Sequence, residues 1–273
     1  MVATDRTAGS IRAAASAGRA AELRRLLNSS GANITSAMGP IDATGITPLH
    51  SSVFADSAAC VQLLVVAGAL IDAREADGAS PLLIASGVGS TDCVRALCEL
   101  GADVELTDDG GSAPLHAACS AGHTACVRLL LHARADASAK DATGATPLAA
   151  ASKDGHDDCV RMLLSASVDV DQTDRHGTSP LAVASANGHL ECAQLLLDAG
   201  AAVDLVDELG TPPLTLAAAL GHASVIRAQL LIEPRHSRRR GRTLASFDRQ
   251  PVASIGGQLT ASPQTLTPCM QSC

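Results

Sequence analysis

Pro-Leu pairs recur at Pro48-Leu49, Pro81-Leu82, Pro114-Leu115, Pro147-Leu148, Pro180-Leu181 and Pro213-Leu214, each 33 residues after the last. Six phased copies at this spacing point to stacked units, each too small to bury its own apolar face and each covering that of its neighbour. The cysteines at 60, 93, 126, 159 and 192 keep the same step, and Val225 occupies the sixth place. Composition fits thin layers better than one thick core. The chain is 47% hydrophobic and 18% charged, too apolar for general disorder, yet only 1% aromatic, with Phe54 and Phe247 alone. Ala, Leu and Val must therefore fill closely spaced layers.

Each unit reads as two helices and a turn, an all-α class. In "SAPLHAACSAGHTACVRLLLHARADAS", Pro114 suits the first turn of a helix, where its missing N–H costs nothing. Thr47, Ser80, Thr146 and Ser179 precede the proline in sister units and supply a side-chain oxygen for free amides. Gly122, Gly155, Gly188 and Gly221 end this short helix in the positive-φ conformation that glycine tolerates. Cys126, Val127, Leu129 and Leu130 then give the stripe of a second helix. Segments such as "ADASAKDATG" supply Asp and Gly for a tight turn.

This pattern resembles the ankyrin repeat. The family's Thr-Pro-Leu-His is whole at Thr47-Pro48-Leu49-His50 and partial at Ala113-Pro114-Leu115-His116. Its Gly-His turn returns at Gly122-His123, Gly155-His156, Gly188-His189 and Gly221-His222, and its Gly-Ala-Asp-Val at Gly101-Ala102-Asp103-Val104. The resemblance implies an ankyrin-repeat solenoid of stacked helix-turn-helix units with β-turn or hairpin loops. Residues 41–233 divide into six repeats: 41–73, 74–106, 107–139, 140–172, 173–205 and an incomplete 206–233. Residues 11–40 read as a degenerate N-terminal capping repeat and a long loop, preceded by a flexible N-terminus at 1–10. The cap exposes Arg12, Arg19, Glu22, Arg24 and Arg25, because a terminal unit needs a polar outer face. Leu83, Ala149, Ala182 and Thr215 replace the motif histidine, so those junctions are expected to be less well fastened. Pro212 replaces the capping Thr, and Gln229 stands where Leu130 and Leu163 lie in earlier repeats. The sixth repeat then frays, or the chain is an abbreviated form of a longer protein.

His-x-x-Cys at His123/Cys126, His156/Cys159 and His189/Cys192 invites a metal reading. Stacked helices lie about 8–10 Å apart, whereas zinc needs four ligands at about 2.0–2.3 Å. One pair supplies two, so no metal and no cofactor is expected. The same separation defeats disulfides, and reduced cysteines fit an intracellular compartment. No phosphate-binding loop, nucleophile elbow or His-Glu-x-x-His motif occurs. The Asp residues recur at turns, so no enzyme activity is expected. Asn28 and Asn33 open N-x-Ser/Thr triplets that have no secretory context.

Charge divides the chain. Through Glu233 the net charge is −13; from residue 234 it is +5. An acidic, aromatic-poor solenoid lacks phosphate attraction and base stacking, which excludes nucleic acid. No run of apolar residues is long enough to span a membrane. The partner is expected to be a protein, with the chain a monomer, cytoplasmic. The Arg-rich, Ala/Ser-rich first 27 residues admit an organelle transit reading, set against their place in the cap. Residues 234–273 read as a disordered tail whose cluster from Arg235 to Arg242 admits nuclear import, a polybasic contact, a solvated linker or a non-native end.

The resemblance implies a non-catalytic scaffold or adaptor whose concave surface binds a protein. The alternative is the interaction domain of a larger enzyme, channel or ubiquitin-ligase-type assembly. The family's variable positions fall seven, five, four and two residues before each proline and six and seven after it. The informative side chains there are Arg74, Asp77, Thr107, Asp109, Lys140, Lys153, Asp154, Arg175, His176, Asn187 and Glu208, a mixed-charge set that argues for a polar contact.

Overall fold

The structure is a computed structural model that describes residues 2–29, 38–40 and 43–231, which lie within one compact unit. The Arg235–Arg242 cluster, Cys269, Cys273 and Asn33 fall outside the described residues. Among those described there are helices and turns and no strand. Helices α1 (Val2–Ser16) and α2 (Ala20–Ser29) form the N-terminal pair. Six pairs follow: α3 (Pro48–Phe54) with α4 (Ala58–Val66), α5 (Pro81–Val88) with α6 (Thr91–Glu99), and α7 (Pro114–Ser120) with α8 (Thr124–His132). Then come α9 (Pro147–Asp154) with α10 (Asp157–Ser165), α11 (Pro180–Asn187) with α12 (Leu190–Asp198), and α13 (Pro213–Ala219) with α14 (Ala223–Leu230).

Every first helix of a repeat starts at its proline. Thr47, Ser80, Thr146 and Ser179 accept from the backbone N–H three residues on, at 3.2–3.4 Å. Ala113 and Pro212 make no such bond, so α7 and α13 lack a contribution of about 1 kcal/mol each. Ser52, Ser86, Ser152 and Ser185, all buried, return their hydroxyl protons to the carbonyls of Leu49, Leu82, Leu148 and Leu181. Cys119 takes that place in the third repeat.

The core is a pair of ladders. Leu49, Leu82, Leu115, Leu148 and Leu181 line one, and Leu64, Leu97, Leu130, Leu163 and Leu196 the other, all with relative exposure of 1% or less. Cys60, Cys93, Cys126, Cys159 and Cys192 fill the second layer at 0% exposure. First helices pack on one another more closely than second helices do.

Hairpin turns project beside the first helices and are stitched across repeats. Backbone N–H groups of Ala76, Asp109, Ala142, Arg175 and Glu208 donate to carbonyls of Thr44, Asp77, Gly110, Thr143 and His176 at 2.7–3.1 Å. That ladder runs through the junctions where the motif histidine is missing. In the turns of the fourth, fifth and sixth repeats an Asp carboxylate caps its own loop. Asp141 Oδ1 accepts from Thr143 and Ala145 N–H, Asp174 from His176 and Thr178, and Asp207 from Leu209 and Thr211, all at 2.8–2.9 Å. Gly111 shows why the tip is glycine. Its φ is +71°, and a Cβ there would sit 2.7 Å from the amide nitrogen of Ala142.

The N-terminal pair differs from expectation at its start. Helix α1 begins at Val2, not near residue 11, because Ala8 and Ile11 bury against the stack together with Ala14 and Ala15 and extend the packed face backward. Arg12, expected to be exposed, is half-buried, and its Nη2 donates to the carbonyl of Pro40 at 3.4 Å.

Candidate functional site

The histidines and cysteines of the His-x-x-Cys steps act separately. A carbonyl can only accept, so His123, His156, His189 and His222 donate through Nε2 to the carbonyls of Gly87, Ser120, Lys153 and Ala186 in the preceding repeat, at 2.9–3.1 Å. The cysteines lie in the second layer, where Cys126 and Cys159 meet the hydroxyls of Thr91 and Thr124 at 3.8 and 3.5 Å. Cys192 donates to Asp157 Oδ1 at 3.2 Å. Burial pushes the Cys93 and Cys192 thiols up to about 12, with Asp56 beside the first and Asp157 beside the second adding to the shift. Such thiols stay protonated and inert near neutral pH. The seven described cysteines are free.

The two motif histidines have a third geometry. His50 Nδ1 accepts from the Thr47 N–H at 3.1 Å and Nε2 donates to Ala79 O at 3.4 Å. His116 accepts from Ala113 N–H at 3.3 Å and donates to Ala145 O at 3.2 Å. Both rings are held neutral. Burial lowers the pKa of each, opposed at His50 by the carbonyls of Ala79 and Ala73, and at His116 by those of Ala145 and Ala139 and by Asp141 and Glu105.

These features fasten the stack, and the first helices and turns also carry exposed side chains. On it Arg74 pairs with Asp109 at 3.1 Å. Asp77 is exposed and its carbonyl anchors Asp109 N–H, whereas Thr107 is half-buried. Lys140 Nζ donates to Thr173 O at 2.7 Å. Asp154 accepts from Ser120 Oγ at 2.8 Å, and Asn187 Nδ2 donates to Val183 O at 2.9 Å. His176 Nδ1 lies 3.5 Å from Glu208 Oε2. Lys153 and Arg175 are exposed, and no carboxylate among the described residues lies within ion-pair distance of either.

The surface is less polar than the sequence reading implies. The same counted positions hold Phe54 at 55% exposure, Val88 at 52%, Val206 at 47%, Leu209 at 90% and Leu220 at 51%. Apolar side chains thus stand at both ends of a charged centre. The signal that could have found them was their position in the repeat.

Sequence profiles described as "Ankyrin repeats (3 copies)" match residues 10–108, 57–141 and 102–174, and one described as "Ankyrin repeats (many copies)" matches 163–217. The chain belongs to the ankyrin-repeat family. Among solved structures it is similar to the human ASB11 ankyrin repeat domain, at 30% identity and a TM-score of 0.72, over 82% of this chain and 97% of that one. A comparison with curated proteins found no match. Ankyrin repeats are in general non-catalytic protein–protein interaction modules. Among the described residues no helix is long and apolar enough to cross a membrane, and no three His, Cys, Asp or Glu side chains are grouped to hold a metal ion.

Proposed function

We propose that this ankyrin-repeat protein is a non-catalytic scaffold or adaptor that binds a protein on the surface formed by its first helices and turn tips. The observation that supports this most is the division of labour among polar groups. Buried Ser and Thr side chains and the turn carboxylates are used within their own repeats and the histidines between repeats, while Lys153 and Arg175 project without an ionic partner among the described residues. Free cations on a chain of net charge −8 give a surface with selective complementarity.

The test is quantitative capture of partners from cell extract by three full-length proteins: the parent, a variant with Lys140, Lys153 and Arg175 changed to Glu, and a control with Arg95→Glu and Arg128→Glu. The control residues are exposed on second helices. Arg161 is left intact because its guanidinium lies 3.6 Å from Glu191 of the next repeat. The expected result is loss of capture with the triple variant alone and unchanged helical circular dichroism in all three. Loss with the second-helix variant alone would refute the assignment of the face.

A further inference from the structure

The sixth repeat turns outward a face that every earlier repeat hides. The positions held by Ala182, Ser185 and Ala193 in the fifth repeat are buried in all five repeats before the last. One step of 33 residues on, Thr215 and Ala218 are exposed and Ile226 is half-buried. Leu230 is 65% exposed where Leu197 is 8%. In the fifth repeat α11 packs on α13 and α12 on α14, so a following helix pair is what covers these positions inside the stack.

The same junctions define the polar half of the face. Carboxylates of Asp72, Glu105 and Asp171 accept from the N–H of Asp103, Asp136 and Ala202 in the next repeat at 2.7–3.0 Å. Asp204 is their counterpart and is exposed. The turn carbonyls of Asp77, Gly110, Thr143 and His176 accept from the next turn, and Leu209 holds that place in the sixth repeat. The carbonyls that take the ring N–H of the next repeat's histidine continue, after Ala186, at Ala219. Among the described residues, the Asp204 carboxylate and the carbonyls of Leu209 and Ala219 have no hydrogen-bond partner. All three groups accept, and at each earlier junction their counterparts meet a donor from the following unit.

From this match we infer that the outer face of α13 and α14 is a docking surface for a helical repeat of another protein, presented by its N-terminal side. Such an occupant brings a backbone N–H at its turn, a side-chain N–H at the start of its second helix and an apolar face for Ile226 and Leu230, as each repeat within the chain does for the one before it. A second copy does not supply this. Face to face, it sets acceptors against acceptors. Head to tail, it brings the exposed Arg24 and Arg25 of α2 against leucines. The surface is distinct from that of the first helices and turn tips, so the inference stands or falls apart from the reading above.

The experiment titrates the full chain, by calorimetry, with a probe of three consensus ankyrin repeats that has a polar C-terminal cap and no N-terminal cap. Its open end offers the turn N–H groups and the Gly-His donor; the same probe with an N-terminal cap is the control. The uncapped probe is expected to bind and the capped one not to. Ala218→Arg with Leu230→Glu in the full chain is expected to weaken binding about tenfold or more; Asp204→Ala, which leaves the apolar face intact, and His→Ala in the probe's Gly-His should each weaken it less. Circular dichroism should be unchanged throughout, and Arg95→Glu with Arg128→Glu should leave binding unaltered. Absence of binding, equal binding of both probes, or equal loss with the Arg95/Arg128 control overturns the proposal. So does binding that appears only once residues 236–273 are removed, or a dimer of the full chain that Ala218→Arg/Leu230→Glu converts to monomer in light scattering, since another occupant then holds the face.

Discussion

The two ends of the described stack solve the same problem differently. At the N-terminal end, α1 and α2 bury Ile11, Ala14, Ala15 and Leu23 against the first repeat and turn Arg19, Glu22, Arg24 and Arg25 to water. At the other end, α13 and α14 leave Leu220, Leu230 and Leu231 at 51%, 65% and 80% exposure. There Gln229 takes the place of the ladder leucine. Its Nε2 donates to Ser185 Oγ, while its buried Oε1 has no hydrogen-bond partner. A stack stabilised only by nearest-neighbour burial is as firm at each end as the side chains that end can hide. The difference shows that a shared helix pair does not guarantee a shared stability. The identity of a few residues on its outer face decides it.

The comparison can be broken most directly at the buried leucines. Leu23→Ala is expected to cost about 2–5 kcal/mol and Leu130→Ala, in the interior, a similar amount, while Leu231→Ala should change stability by less than about 0.5 kcal/mol. Urea denaturation followed by circular dichroism reads this, and equal midpoints for Leu23→Ala and Leu231→Ala would end the contrast. Gln229→Leu should act in the opposite direction, raising stability by about 1–2 kcal/mol, because it restores the ladder and removes an unsatisfied carbonyl oxygen. Hydrogen exchange should show the added protection concentrated in α13 and α14.

Acid should separate the ends differently. His50 and His116, in the first and third repeats, have pKa values lowered below 6.5 by burial. Below pH 6.5 the unfolded chain takes up protons that the folded chain refuses, so stability falls as pH drops through the lowered folded values and is flat above 6.5 on their account. Repeats four to six, with Ala149, Ala182 and Thr215 at that position, lack this term. Exchange at pH 5 should therefore rise first in α3 and α7 relative to pH 7, and replacing both histidines with Gln should remove the difference. The smallest effect concerns Ser167, which ends α10's turn at φ +61° where Gly68, Gly101 and Gly200 stand in three sister repeats and Arg134 in a fourth. Ser167→Gly should add about 0.5–1 kcal/mol, seen as a small rise in Tm.

The architecture was legible because its determinants are local and repeat. The proline starts, the hydroxyl caps, the turn Asp residues and the cysteine ladder are each set within a few residues of sequence and then copied. Helix α1 was missed in part because "VATDRTAGS" has no apolar period of its own; Ala8 and Ile11 hold it only once the first repeat is in place. The back-bonds of His123, His156, His189 and His222 were invisible for a related reason. Each ends on a backbone carbonyl, and carbonyls are identical in every residue. At the surface, counting from the prolines favoured polar side chains over the exposed apolar ones at the same positions. A leucine in sequence announces burial, and Leu209 shows its 90% exposure only when the neighbours that fail to cover it are known.

The histidine back-bonds all span 36 residues and the forward bonds of His50 and His116 both span 29. Every such tie is thus written in the offset between adjacent units and in no absolute address. A gene duplication that inserts or removes one whole 33-residue unit delivers donors and acceptors already in register at both new junctions. An insertion of any other length breaks them. Such a chain can change its reach by whole steps while each step stays chemically the same, so length is open to variation and spacing is not.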